Sequence, residues 1–249
     1  AMITYYLKEG NKKEEKAEKK DEGDEASNSE EKTKEKTKDS IFFEFYDGDR
    51  LIRPLKYKTP EKGGFHRIYW NLDEKGPDSP SRTLSKSKTE SGGITVKPGT
   101  YKVKVSYGEA TDSTSVTVKT DPRLNTSLAS INAVHALGMK LQEYTQTAAD
   151  AVKQLVESKN LANKYQKELQ DMDKEKYKEQ IEASKTIAKQ IDSVIALYLG
   201  KEDKRQGITR NPEPSVMLRL NTAESYVNSR KTGITATEKT LMEFAEAEL

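Results

Sequence analysis

Cysteine is absent from this chain of 249 residues, which removes disulfide frameworks, thiolate metal sites and thiol nucleophiles together. The redox compartment stays open, because a disulfide-free protein suits cytosol and periplasm alike. Long apolar runs are also missing. No stretch approaches the ~20 residues that a membrane helix needs, and no basic-then-apolar leader opens the chain. An excess of one charge is missing too: 43 Lys and Arg face 41 Asp and Glu, a formal net charge of +2. That balance supplies no field for nucleic acid or an anionic membrane, and net charge by itself does not choose a partner; no nucleic-acid partner and no transmembrane segment are expected. With 33% hydrophobic and 34% charged residues, the buried cores are expected to be modest and the surface heavily solvated.

What is present is strongly segmented. Ile3-Thr4-Tyr5-Tyr6-Leu7 reads as a strand, and a chain that starts inside a strand is expected to be a piece of a longer protein. Residues 8–39 hold ten Lys and twelve Asp or Glu, with no aromatic residue and no Val, Ile or Leu. Such a segment cannot bury enough apolar area to offset its ordering entropy, so it reads as a charged, solvated insertion. From 41 to 119 the pattern changes to short β-branched and aromatic runs: Ile41 to Tyr46, Leu51 to Tyr57, Phe65 to Leu72, Thr100 to Tyr107 and Ser113 to Lys119. Asp47-Gly48-Asp49 predicts a tight hairpin, and Pro98-Gly99 fits the central pair of a type II turn. Tyr101, Val103 and Val105 alternate with Lys102 and Lys104, which predicts one buried and one wet face. Ile3 to Leu7 is expected to pair with Ile41 to Phe45, giving an immunoglobulin-like antiparallel β-sandwich over 1–122.

After Asp121-Pro122-Arg123 the period becomes helical. Val134, Leu137, Leu141, Tyr144, Ala148, Ala151, Leu155, Ala162, Tyr165 and Leu169 keep a 3-4 spacing broken only by Ser158, which predicts one helix from about 128 to 171. A second, from about 174 to 199, is closed by Gly200, and the two form a long antiparallel hairpin. A loop with Gly207, Pro212 and Pro214 leads to a third helix with Val216, Leu220, Ala223 and Val227. Thr235 to Glu238 is a capping-box pattern announcing a fourth, with Leu241, Phe244 and Ala245. Residues 123–249 are thus expected to form a four-helix antiparallel assembly.

Candidate chemistry is sparse. His66 falls in the sandwich and His135 in the helices, and neither has a set of converging ligands, so both read as ordinary packing or surface histidines. Carboxylates are abundant, yet most lie in the insertion or on helical faces opposite the apolar stripe. There is no Gly-x-Ser-x-Gly elbow and no phosphate-cradling Gly-rich loop. No catalytic, cofactor-binding or metal-binding residue is assigned, no cofactor is expected, and the chain reads as no enzyme. Tyr69 and Trp70 are the one hint of a sugar platform. They alternate with Ile68 and Leu72, so one of the two points inward, and Trp70 is the better core residue.

Four ordered stretches carry a family likeness: Ile3-Thr4-Tyr5-Tyr6-Leu7-Lys8, Gly64-Phe65-His66-Arg67-Ile68-Tyr69-Trp70-Asn71-Leu72, Lys97-Pro98-Gly99-Thr100-Tyr101-Lys102-Val103 and Val118-Lys119-Thr120-Asp121-Pro122-Arg123. With Arg205-Gln206-Gly207 and Leu218-Arg219-Leu220-Asn221 in the helical part, the chain resembles the C-terminal region of bacterial BNR-repeat, sortilin-like β-propeller proteins described as glycosyl hydrolases. Asn71 stands where that family more often carries Asp. The sandwich is similar to the immunoglobulin-like domain of flagellar hook-capping proteins. The resemblance implies a secreted, periplasmic or outer-membrane-associated protein whose propeller carries any hydrolase activity. The blade-marking Ser-x-Asp-x-Gly-x-Thr-Trp box is missing here, so this chain is expected to be a non-catalytic accessory module. Its expected partner is the preceding β-propeller domain of the same chain, with another protein or a glycan as the alternative.

Overall fold

The computed structural model describes residues 1–8, 40–84, 90–201, 214–230 and 233–247. Of the insertion expected at 8–39, only Lys8 is among them, and Gly207 and Pro212 of the predicted loop also lie outside. The elements are β1 (Met2–Leu7), β2 (Ser40–Asp47), β3 (Arg50–Lys58), β4 (Gly64–Tyr69), β5 (Asp73–Lys75), β6 (Gly92–Thr95), β7 (Gly99–Tyr107), β8 (Ala110–Val118), α1 (Leu128–Asp173), α2 (Lys178–Leu199), α3 (Val216–Ser229) and α4 (Ala236–Glu246). They fall into two compact units: Ala1–Leu72 with Gly99–Val118, and Asp73–Pro98 with Lys119–Leu249. Among the described residues no helix is long and apolar enough to cross a membrane.

The first unit is all antiparallel, with one sheet ordered β3-β2-β7-β8 and a two-stranded ribbon of β1 and β4. Period-2 burial builds it: Ile41, Phe43 and Phe45 of β2 and Tyr101 and Val103 of β7 are buried, while their neighbours in sequence are partly or fully exposed. The predicted hairpin at Asp47 forms, and Gly48 sits at φ 60°, a conformation that costs glycine nothing. Gly108 does the same at φ 55° between β7 and β8.

Three expectations change here. β1 does not pair with β2; it pairs antiparallel with β4, Ile3 opposite Ile68 and Tyr5 opposite His66. The reason is that β3 and β7 already occupy both edges of β2. The strand predicted to reach Leu72 stops at Tyr69, and Leu72 itself turns into the left-handed region at φ 62°. Gly99 is not among the positive-φ glycines, so Pro98-Gly99 makes no type II turn and Gly99 opens β7 directly.

The second unit contains all four helices together with β5 and β6, which pair only with each other among the described residues. Residues 73–98, which fall inside the expected 1–122 sandwich, group with the helices. A bare helix surface at Gly138 permits this. A Cβ there would lie 2.1 Å from Ile94 Cδ1, so the glycine lets the Ile94 side chain of β6 lie directly against α1.

α1 begins at Leu128, where Ser127 caps it by accepting the Ser130 N–H at 3.1 Å. α2 begins at Lys178 rather than 174, because Asp173 Oδ1 accepts the N–H groups of Glu175 and Lys176 and holds a turn there. It folds back on α1 through Val152, Val156 and Ile195, with Lys159 and Asp192 paired at 2.6 Å. Leu141 and Ala148 of α1 join Leu220, Ala223 and Val227 of α3 and Met242 and Ala245 of α4 in a further core. The predicted cap of α4 forms as well, with the Thr235 N–H donating to Glu238 Oε2 at 2.8 Å.

Candidate interaction face

Alternation along β1 and β4 sorts their side chains onto two faces of the ribbon. Ile3 and Ile68 turn inward and are buried. Trp70, just beyond β4, is 1% exposed, stacked on Phe45 at 4.4 Å and set edge-on to Tyr101 at 5.6 Å. Tyr5 packs its ring edge against Phe43 at 5.3 Å, and burial, then Tyr57, pushes its hydroxyl pKa up. The expected choice between Tyr69 and Trp70 thus falls to Trp70 as the core residue.

The opposite face should be polar if water were its only contact, as in antiparallel sheets with one wet side. It is not. The cross-strand pairs on that side are Met2 with Tyr69, Thr4 with Arg67, and Tyr6 with Phe65. Phe65 is 80% exposed, Tyr69 66%, Tyr6 63% and Met2 54%. Tyr6 and Phe65 touch with centroids 5.2 Å apart and rings inclined at 60°. Arg67 stands between the two pairs as the one charge on the face. Single exposed apolar side chains are ordinary, but two cross-strand pairs of them on one face of a ribbon of this size, separated only by Thr4 and Arg67, form a contact surface. Sequence alone offered only Tyr69 as an exposed aromatic. Met2, Tyr6 and Phe65 were missed because their grouping depends on β1 pairing with β4.

The two histidines lie in different units. His66 donates from Nε2 to the Lys62 carbonyl at 2.9 Å and packs on Tyr5 with centroids 5.6 Å apart. His135 meets Glu74 of β5, Nε2 to Oε1 at 3.1 Å, with side chains only 11% and 7% exposed. Sequence missed this pair because its members are 61 positions apart. Among the described residues no three His, Asp or Glu side chains converge as metal ligands.

The most perturbed carboxyl is Glu238, held at a pKa of about 2 by the Thr235 hydroxyl first and then by the Arg230 guanidinium against the opposing effect of burial. Its two oxygens are engaged by the Arg230 Nε–H at 2.6 Å and by the Thr235 N–H at 2.8 Å. A permanently ionised, fully engaged carboxylate caps a helix and has no proton to give at neutral pH. Comparison with family models, with curated proteins and with solved structures finds no match for this chain.

Proposed function

We propose that this chain is a non-catalytic interaction module whose binding surface is the outer face of the β1–β4 ribbon. The observation that carries the reading is that Met2, Tyr6, Phe65 and Tyr69 are all more than half exposed on one side of two paired strands. Burying a Phe or Met side chain in an interface is worth roughly 1.5–3 kcal/mol of transfer free energy, so this face is the strongest docking surface the first unit offers.

The partner class that fits best is protein. A sugar platform needs rings lying flat in one plane, whereas Tyr6 and Phe65 are inclined by 60°. Inclined rings with a neighbouring guanidinium suit the central anchors of a protein interface, where aromatic residues and Arg are enriched. The resemblance to sortilin-like, BNR-repeat proteins suggests which protein: a preceding β-propeller of the same exported chain, against which an immunoglobulin-like sandwich with a helical tail acts as a brace.

The test is the double variant Tyr6→Ser with Phe65→Ser, made in the full-length gene product that carries this chain. A lowered melting temperature or reduced export of the whole protein is expected. Unchanged melting and export would remove the bracing role, and binding of soluble oligosaccharides that the same double variant abolishes would replace it with the glycan-binding alternative.

A further inference from the structure

The ribbon has an open edge as well as an outer face, and the two are chemically separate. Ala1 and Trp70 exchange both of their backbone hydrogen bonds. Antiparallel alternation then turns the amides of Ile3, Tyr5 and Leu7 toward β4 and those of Met2, Thr4 and Tyr6 toward the other side of β1. No described strand pairs with that side.

Beside it lies a cleft of about 760 Å³. It is lined by Ile3 to Leu7 of β1 with Lys8, Ile41 and Phe43 of β2, Phe65 of β4, Val103, Val105 and Tyr107 of β7, and Ala110 to Thr114 of β8. A five-residue strand spaced ~4.8 Å from its neighbour, between sheets ~10 Å apart, fills roughly 800 Å³. The cleft's volume is therefore close to that of one five-residue strand.

The edges differ in protection. Edge strands are commonly guarded by charge or proline. β3, at one edge of the four-stranded sheet, carries Pro54, Arg50, Lys56 and Lys58; β1 carries neither charge nor proline from Met2 to Leu7. Residues 9–39 contain no Val, Ile, Leu, Met or aromatic residue and cannot supply the apolar side chains this cleft would take.

Charge narrows the occupant further. Tyr5 touches Phe43, Phe43 lies opposite Val105, and Val105 lies opposite Asp112, so Asp112 stands midway along the cleft at the level of Tyr5. An inward cation at the centre of the strand would meet it, flanked by aliphatic side chains over Val103 and Tyr107.

We infer that this cleft is a strand-acceptor site, adding to β1 an extended peptide with aliphatic residues at alternate inward positions and one Lys or Arg between them. The capture mode is strand addition, in which main-chain hydrogen bonds supply affinity and alternate side chains supply selectivity. It uses the backbone edge and inner side of β1; of the outer-face residues Tyr6 and Phe65 also line the cleft, while Met2 and Tyr69 do not.

The probe is the end-capped peptide Thr-Val-Thr-Lys-Thr-Val-Thr, titrated into the full chain and followed by amide hydrogen exchange. Slowed exchange at Thr4 and Tyr6, with little change at Ile3 and Tyr5, is expected. Thr4→Pro removes an edge-facing N–H without breaking the β4 ladder, and should weaken the peptide at least about tenfold, the equivalent of one hydrogen bond. Tyr69→Ser, an outer-face change at a residue that does not line the cleft, should leave it unchanged. Asp112→Lys, a second variant that keeps β1 intact, should reverse the preference toward a peptide with Glu in place of Lys. No added protection at millimolar peptide, equal binding to Thr4→Pro, or edge protection that appears with chain concentration and a doubled mass in place of peptide binding would each overturn the proposal.

Discussion

Two phenylalanines on β2 and β4 should behave oppositely, and the difference tests the description of the first unit. Phe45 is fully buried against Trp70, while Phe65 is 80% exposed. Phe45→Leu forfeits the ring contact, about 0.5–1.5 kcal/mol. It also leaves a shape mismatch that costs up to about 1.5 kcal/mol. A total near 2 kcal/mol, divided by a urea dependence of about 2 kcal/mol per molar, lowers the unfolding midpoint by roughly 1 M. Phe65→Leu removes a ring from solvent-exposed surface and should stay within about 0.5 kcal/mol, a midpoint change of roughly 0.25 M. The assay is intrinsic, because Trp70 is the single tryptophan and reports only on its own surroundings. Its emission should be blue-shifted and slow to quench with acrylamide in the native protein, and red-shifted after unfolding. Equal midpoint losses for the two variants, or none for Phe45→Leu, would refute the assignment of inward and outward faces.

Gly138→Ala should destabilise the helical unit, because its Cβ meets Ile94 Cδ1 at 2.1 Å and overpacking of about 1–3 kcal/mol exceeds the ~1 kcal/mol gained in helix propensity. Adding Ile94→Val should recover part of the loss in thermal denaturation followed at 222 nm, and an additive double variant would contradict the contact. Gly200→Ala should cost about 1–3 kcal/mol in the same measurement, since φ 78° and ψ 170° lie where only glycine is comfortable. For Glu238 the folded pKa of about 2 lies below the ordinary 4.5, so its stabilisation is complete above pH 4.5 and is lost as pH falls toward 2. The melting-temperature gap between the native chain and Glu238→Gln should therefore be constant from pH 5 to 7 and shrink between pH 4.5 and 2; a gap that widens in acid would reverse the sign of this linkage.

What the sequence disclosed was whatever a local period determines. Tyr101 and Val103 could be placed inward because they alternate with Lys102 and Lys104, and the α4 cap could be placed because Thr235 and Glu238 sit at the spacing a capping box requires. Pairing partners are not local quantities. Nothing in Ile3 to Leu7 distinguishes β2 from β4 as a neighbour until both edges of β2 are known to be filled. The grouping of 73–98 was hidden for a similar reason: β5 is three residues long, too short for a period. A signal did exist in Gly138, an isolated glycine inside a helical stripe, which marks close approach of another backbone or side chain. The outer face had a signal too, since both parities of β1 and β4 are rich in apolar residues and a strand with one wet side should show only one.

That two-sidedness is the physical reason for reading the ribbon as functional. A two-stranded ribbon is marginal alone in water, and this one persists because Ile3, Ile68 and Trp70 anchor its inner face beside Phe43 and Phe45. The anchoring is complete without Met2, Tyr6, Phe65 or Tyr69, which contribute little buried area to the fold. Nor does the fold need the edge amides of Met2, Thr4 and Tyr6, which pair with no described strand. Apolar surface and unpaired strand edge both lower solubility when left free. Features that the fold of the described residues does not use, and that solubility opposes, are what the proposed interaction module would use. The outer face and the edge would then serve two different contacts, one made by side chains and one by backbone, on the same six-residue strand.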